Sequence, residues 1–256
     1  MQGFADFSRK WLIQGQVGFL ERFGELQHLA LKNTWIEPDA PPVSVAFDFS
    51  SLKSLQSFDC SKLRIGKWPK LPASLEFLDC TECSTDYPSP FSPSSDTFEH
   101  LRIARLARSS VGCGVLGSIL RSASDQLTYL DVDLSADLAS DVNWTYFLDA
   151  VRGGGLGELT FLRIWYLMLS DEHVDILVEH CRKLETVELS SPNITGVFIV
   201  GLLAAPESRV QRLVLRDCTK VSPDTYAWAI QRGVVVERTT TEMHGGSGRR
   251  VVHGRD

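Results

Sequence analysis

The sequence has little continuous apolar character. Its first 23 residues hold only the triplet Trp11, Leu12 and Ile13 as an apolar run, far short of a signal-peptide core, and no segment approaches the roughly 18 apolar residues of a membrane-spanning helix. These absences point to a cytoplasmic or nuclear protein. Positive charge is also scarce. The 26 Lys and Arg residues against 32 Asp and Glu leave a net charge of −6, which argues against a broad nucleic-acid or anionic-membrane surface, because neutralising phosphates needs concentrated basic residues. Six cysteines in 256 residues are too few for a disulfide framework and are expected to be free thiols. Without a secretory signal, the sequons at Asn143 and Asn193 are discounted.

Recognisable catalytic patterns are missing too. The chain contains no G-x-S-x-G elbow, Walker loop or paired-acid motif, so no enzyme is expected. Two partial motifs need weighing. The first is Gly112, Gly114 and Gly117 in "GCGVLG", which fit the dinucleotide fingerprint, with Asp131 placed 19 residues after Gly112. Against it, the preceding "HLRIARLARSS" carries Arg102, Arg105 and Arg108, whereas the first strand of such a sheet is buried on both faces and almost wholly apolar. The second is Cys80-x-x-Cys83, which has no second pair at zinc spacing, while His173 and His180 are seven residues apart rather than four. No cofactor and no metal are expected.

What is present is a repeat. The phrase L-x-x-L-x-L occurs as "LQHLAL" from Leu26, "LQSFDC" from Leu55, "LEFLDC" from Leu75, "FEHLRI" from Phe98, "LTYLDV" from Leu127, "LTFLRI" from Leu159, "LETVEL" from Leu184 and "VQRLVL" from Val210. The offsets of 29, 20, 23, 29, 32, 25 and 26 residues bracket the period of leucine-rich repeats. Helical stretches lie between the copies. Val174, Leu177, Val178 and Cys181 form one apolar face behind an N-cap at Ser170, a second helix starts at Ser140 and stops at a glycine run, and a third is framed by Ser222, Pro223 and Gly233. "VVVE" after Gly233 reads as a further strand. The fold expected is α/β: a solenoid with about eight or nine parallel strands on its concave side and helices on its convex side.

Residues 169–218 carry the phrase in its best form. Cys181, Leu184, Val187 and Leu189, then Leu213, Leu215, Cys218, Val221 and Ser222, resemble the cysteine-containing leucine-rich repeat of fungal F-box/leucine-rich-repeat proteins. That resemblance implies a horseshoe solenoid and the substrate-recognition part of a ubiquitin-ligase receptor. The F-box phrase itself does not occur in the sequence, so an SCF adaptor is expected as partner only where an F-box lies upstream of Met1. The domain reading is an N-terminal helical cap or remnant over 1–22, repeats over 23–237 and a disordered tail over 238–256. The Pro/Ser-rich stretches 37–44 and 84–97 read as surface loops; Ser89-Pro90 and Ser92-Pro93 have the form of proline-directed phosphorylation sites, but a solvated loop suffices to explain them.

Strand alternation then selects the binding residues, because the third, fifth and seventh positions of each phrase point away from the core. The protein-binding set read in this way is Arg102, Tyr129, Asp131, Asp133, Phe161, Arg163, Trp165, Glu188, Arg212 and Arg216. Its charges fit a ladder that stabilises neighbouring strands. Its aromatic and arginine content equally fits a binding hot spot. At the ninth position, Cys218 reads as a small buried residue in the turn, not as a nucleophile.

Overall fold

The computed structural model describes residues 4–6, 23–31, 48–65, 68–85, 98–109, 113–123, 125–133, 148–149, 151–153, 156–165, 169–242 and 249–253. Strands run in the order β1 (Phe4–Asp6), β2 (His28–Ala30), β3 (Ser57–Asp59), β4 (Arg64–Ile65), β5 (Phe77–Asp79), β6 (Ser84–Thr85), β7 (Ile103–Leu106), β8 (Tyr129–Asp133), β9 (Phe161–Trp165), β10 (Thr186–Ser190), β11 (Arg212–Arg216), β12 (Val235–Glu242) and β13 (Arg249–His253). The helices are α1 (Cys113–Ser122), α2 (Val174–His180, entered through a 3-10 turn at Asp171–His173), α3 (Gly196–Ala204) and α4 (Pro223–Gln231). Residues 148–149 and 151–153 are also helical, inside the helix predicted from Ser140; residues 140–147 lie outside the described residues.

All strands except β4 and β6 make one 11-stranded sheet whose spatial order is their chain order. Every pairing from β1 to β12 is parallel, and β13 runs antiparallel to β12. β4 and β6 pair as a separate parallel ladder. The chain is therefore α/β with a largely parallel sheet.

The leucine phrase explains this arrangement. Its first, fourth and sixth residues, such as Leu127, Leu130 and Val132 or Leu159, Leu162 and Ile164, are buried. They join Ile119, Leu177, Phe198 and Leu202 from the helices in one core. Burying each such side chain contributes about 1.5–3 kcal/mol, and a single strand has no other surface against which to do it. The registers stack the phrases position on position, with Tyr129 level with Phe161, Phe161 with Thr186 and Thr186 with Arg212.

One phrase sits three residues later than the sequence suggests. Phe77 pairs with Ile103 and Leu78 with Ala104, so the fourth copy starts at Leu101, not Phe98. Ala104 is consequently fully buried instead of facing outward. The chain before the strand explains the slip: Phe98 is apolar and buried, and it imitates a first position.

Four of the phrases close in the same way. Lys62, Glu82, Arg108 and Asp217, all at the eighth position, have φ between 53° and 60°, a left-handed conformation that turns the chain off the strand. The amides of Lys62, Glu82 and Asp217 donate to the seventh-position carbonyls of the next repeat at 2.8–2.9 Å. The ninth residue, Leu63, Cys83, Ser109 or Cys218, then folds into the core. Ser109 stands where cysteine does elsewhere, and its hydroxyl donates to the Cys83 carbonyl at 3.1 Å.

The helix ends are punctuated by their own residues, including α3, which was not read from the sequence. Thr195 Oγ1 accepts from the Val197 amide at 3.1 Å, Ser222 caps α4 with Pro223 in its first turn, and Gly233 leaves that helix at φ 83°, a conformation that favours glycine. Gly201 lets α3 approach α2, because a Cβ there would lie 3.1 Å from Val174 Cγ1.

Both chain ends correct the sequence reading. Residues 4–6 form a strand parallel to β2 rather than a helix. Residues 238–242 and 249–253 pair as strands rather than remaining disordered; the Thr-rich "RTTTE" and "RRVVH" are rich in β-branched residues that suit a pleated surface. The loop 37–44, residues 86–97 with their Ser-Pro pairs, and residues 7–22 lie outside the described residues.

Candidate functional site

The face of the sheet opposite the shared core carries three parallel columns. The fifth-position column reads Asp59, Asp79, Arg105, Asp131, Arg163, Glu188, Val214 and Glu237 across successive strands. Strands lie about 4.8 Å apart, so opposite charges here meet directly. Arg163 donates through Nη1 to Asp131 Oδ2 at 2.6 Å and through Nε to Glu188 Oε2 at 2.7 Å. Arg216 reaches the same Glu188 oxygen at 3.7 Å, and Arg105 lies 3.6 Å from Asp79. Asp131 and Glu188 are only 4% and 6% exposed.

Burial pushes the Asp131 carboxyl above its ordinary value, and Arg163 pulls it back only in part. For Arg163, loss of water opposes the charge, but the Glu188 hydrogen bond and the charge of Asp131 outweigh that and raise its pKa. Asp59 and Asp79 also shape the turn after their strands, each accepting from the amide two residues on, Ser61 or Thr81, at 2.9 Å.

Beside the charges runs an apolar row. Phe77, Ile103, Tyr129 and Phe161 occupy the third position on four adjacent strands, each half-buried. The Tyr129 and Phe161 rings stack with centroids 4.1 Å apart and planes within 1°. Arg105 lies 5.5 Å from the Phe77 centroid and 5.3 Å from that of Tyr129. At the seventh position, Trp165 is surrounded by the guanidinium carbons of Arg216 at 4.7 Å, Arg108 at 5.5 Å and Arg163 at 5.8 Å. Each such contact contributes about 0.5–2 kcal/mol. Trp165 Nε1 is buried and has no hydrogen-bond partner among the described residues.

Of the residues chosen from sequence, Tyr129, Asp131, Phe161, Arg163, Trp165, Glu188 and Arg216 are brought together here. Asp133 sits level with Trp165 across the strand pair. Arg212 lies towards the far end, bonded to Glu237 at 3.0 Å. Arg102 does not join them. It precedes β7, and its carbonyl accepts the amides of Thr128 and Tyr129, so Arg105 takes the place assigned to it. Arg105 and Ile103 were missed through the same three-residue slip, and a start at Leu101 would have made the neighbouring offsets both 26; Arg108, at the eighth position, falls outside the alternation that selected the set.

The partial motifs have other surroundings. Helix α1 already begins at Cys113, so Gly114 and Gly117 are helical and do not form the strand-to-helix turn that a pyrophosphate needs; Gly112 lies outside the described residues. Asp131, the residue in line for a ribose, is bonded to Arg163. Cys80 and Cys83 are buried, with Cys80 Sγ 3.4 Å from Cys60 Sγ. Among the described residues no group of three potential ligand side chains is placed to hold a metal ion. His173 has its Nδ1 on the Ser170 amide at 3.1 Å, a capping role. Among the described residues no helix is long and apolar enough to cross a membrane.

No protein-family model matches the chain, and a search of curated proteins gave no match.

Proposed function

We propose that the chain is a non-enzymatic protein-interaction scaffold, a leucine-rich-repeat solenoid that holds a protein partner against the concave side of its parallel sheet. The observation that carries this reading is the half-exposed apolar row Phe77, Ile103, Tyr129 and Phe161 beside Trp165. Core packing uses the first, fourth and sixth positions, so nothing in the phrase calls for four apolar residues side by side in the third. Aromatic and arginine side chains are the types that dominate binding energy at interfaces. Because Arg163 is spent on Asp131 and Glu188, the rings rather than that guanidinium are the anchors, and the arginines hold the rings in place. In line with the repeat resemblance, the role proposed is substrate recognition in an F-box/leucine-rich-repeat-like ubiquitin-ligase receptor in the cytoplasm or nucleus.

Affinity purification with mass spectrometry, scored for a cullin and an SCF adaptor, separates the receptor role from that of a plain scaffold. The recovered partner is then titrated against Trp165→Ala and Phe161→Ala. Each is expected to weaken binding by about 2 kcal/mol, roughly 30-fold, without loss of fold. Unchanged affinity in both variants would overturn the binding face.

A further inference from the structure

We propose that a cavity between the C-terminal ends of α2 and α3 is a binding site for a small, uncharged, apolar molecule of about one ring. It uses none of the residues of the sheet face and does not depend on the reading of that face.

The cavity is a half-open recess of about 270 Å³. Its apolar wall comes from Leu177, Val178, Cys181, Leu184, Leu202 and Val210. The way the helices meet explains why it stays open. They are pinched together at Gly201 and Val174, where a Cβ on the glycine would already sit 3.1 Å from a valine methyl. Beyond the pinch α2 stops at His180, and α3 ends at Ala204 with an extended Ala205 ahead of Pro206. The recess is lined by residues from both of these ends. It also has a fixed frame: the Ser208 amide donates to the Ala205 carbonyl at 3.0 Å, and the Cys181 amide to Leu177 at 2.9 Å. Arg182 and Glu207, both lining residues, approach to 3.5 Å.

The lining selects the guest. Its charged members are Glu179, Arg182, Glu207 and Arg209, two of each sign, so it offers no net charge to pair with an ion entering an apolar space. A charged guest would lose water without an equal return. The Cys181 thiol is pushed by burial up to about 12, so it serves as an apolar wall and not as a nucleophile. In size the cavity falls between the roughly 150 Å³ that holds benzene and the roughly 300–1,000 Å³ of drug-sized sites. A single ring with a short substituent fits that interval.

The test uses indole, benzoate and benzylamine as probes of the full chain, followed by ligand-observed NMR and by mass-mapped labelling of Cys181. Indole is expected to bind, and at ten times its Kd to slow Cys181 labelling about tenfold. Benzoate and benzylamine are expected to bind at least tenfold more weakly. Ala205→Trp fills the cavity from α3 and should abolish indole binding while its circular dichroism stays unchanged; Val178→Trp fills it from α2 and serves where the first variant does not fold. Trp165→Ala should leave indole binding as it is, which separates this site from the aromatic face. Absence of indole binding to the unaltered chain, full binding to a folded filled variant, loss of binding in Trp165→Ala, or equal affinity for the charged probes would each overturn the proposal.

Discussion

Arg163 on β9 and Asp131 on β8 face each other across one strand spacing, with Nη1 donating to Oδ2 at 2.6 Å, and the other side of the same guanidinium holds Glu188 on β10. One arginine thus bridges two acids that are almost wholly out of water. Removing it leaves Asp131 without its hydrogen-bonded partner and Glu188 with only the longer contact to Arg216 at 3.7 Å. Arg163→Ala should therefore lower stability by about 3–5 kcal/mol, measured by urea unfolding. A change below about 1 kcal/mol would mean that the acids find other partners.

The cap at Ser170 sets a pH dependence. His173 Nδ1 accepts from the Ser170 amide, which requires an unprotonated nitrogen, and burial lowers its pKa below the ordinary 6.5. The unfolded chain then binds more protons than the folded one between the two values, so stability rises with pH through that window. The contribution is complete above 6.5 and is lost as pH falls towards the folded value. His173→Gln should flatten the stability profile as pH falls below the ordinary 6.5; an unaltered slope would contradict this account.

Cys218 should resist modification. It is buried, its Sγ donates to the Arg216 carbonyl at 3.2 Å, and burial raises its pKa to about 11. At pH 8 about one thiol in a thousand is ionised. Labelling in the native state is expected to be slow and to accelerate on unfolding, and Cys218→Leu should cost about 1–3 kcal/mol through overpacking. Fast labelling of the folded chain would refute it.

Gly201 separates two opposing effects. Gly201→Ala gains about 1 kcal/mol of helix propensity and loses a similar amount against Val174, so its melting temperature should stay close to the original. Gly201→Val adds a branched side chain at the contact and should cost about 1–3 kcal/mol. Thermal unfolding of the pair checks the helix approach.

The phrase L-x-x-L-x-L is a local statement about which residues must be buried, and so the strands, their alternation and their parallel order could be read from the chain. The error at Phe98 has the same origin: an apolar residue in the run-up to a strand looks like a first position until the partner strand fixes the register. The sheet face opposite the core was legible column by column, since Tyr129, Phe161 and Trp165 follow from alternation alone. The clamp of Arg163 between Asp131 and Glu188 was not, because it joins residues 25 and 32 positions apart and depends on side-chain reach. The cavity beside Gly201 was invisible for a related reason: it records where two helices fail to meet.

The reversal of β13 against β12 bears on assembly. A parallel ladder has two unlike edges that match each other, so copies of a purely parallel chain can join head to tail without limit. Among the described residues β13 is the edge strand, and β12 beside it already pairs parallel on one side and antiparallel on the other, so a sheet can continue through a reversal; what the reversal changes is the direction that an added strand must take to keep either pattern.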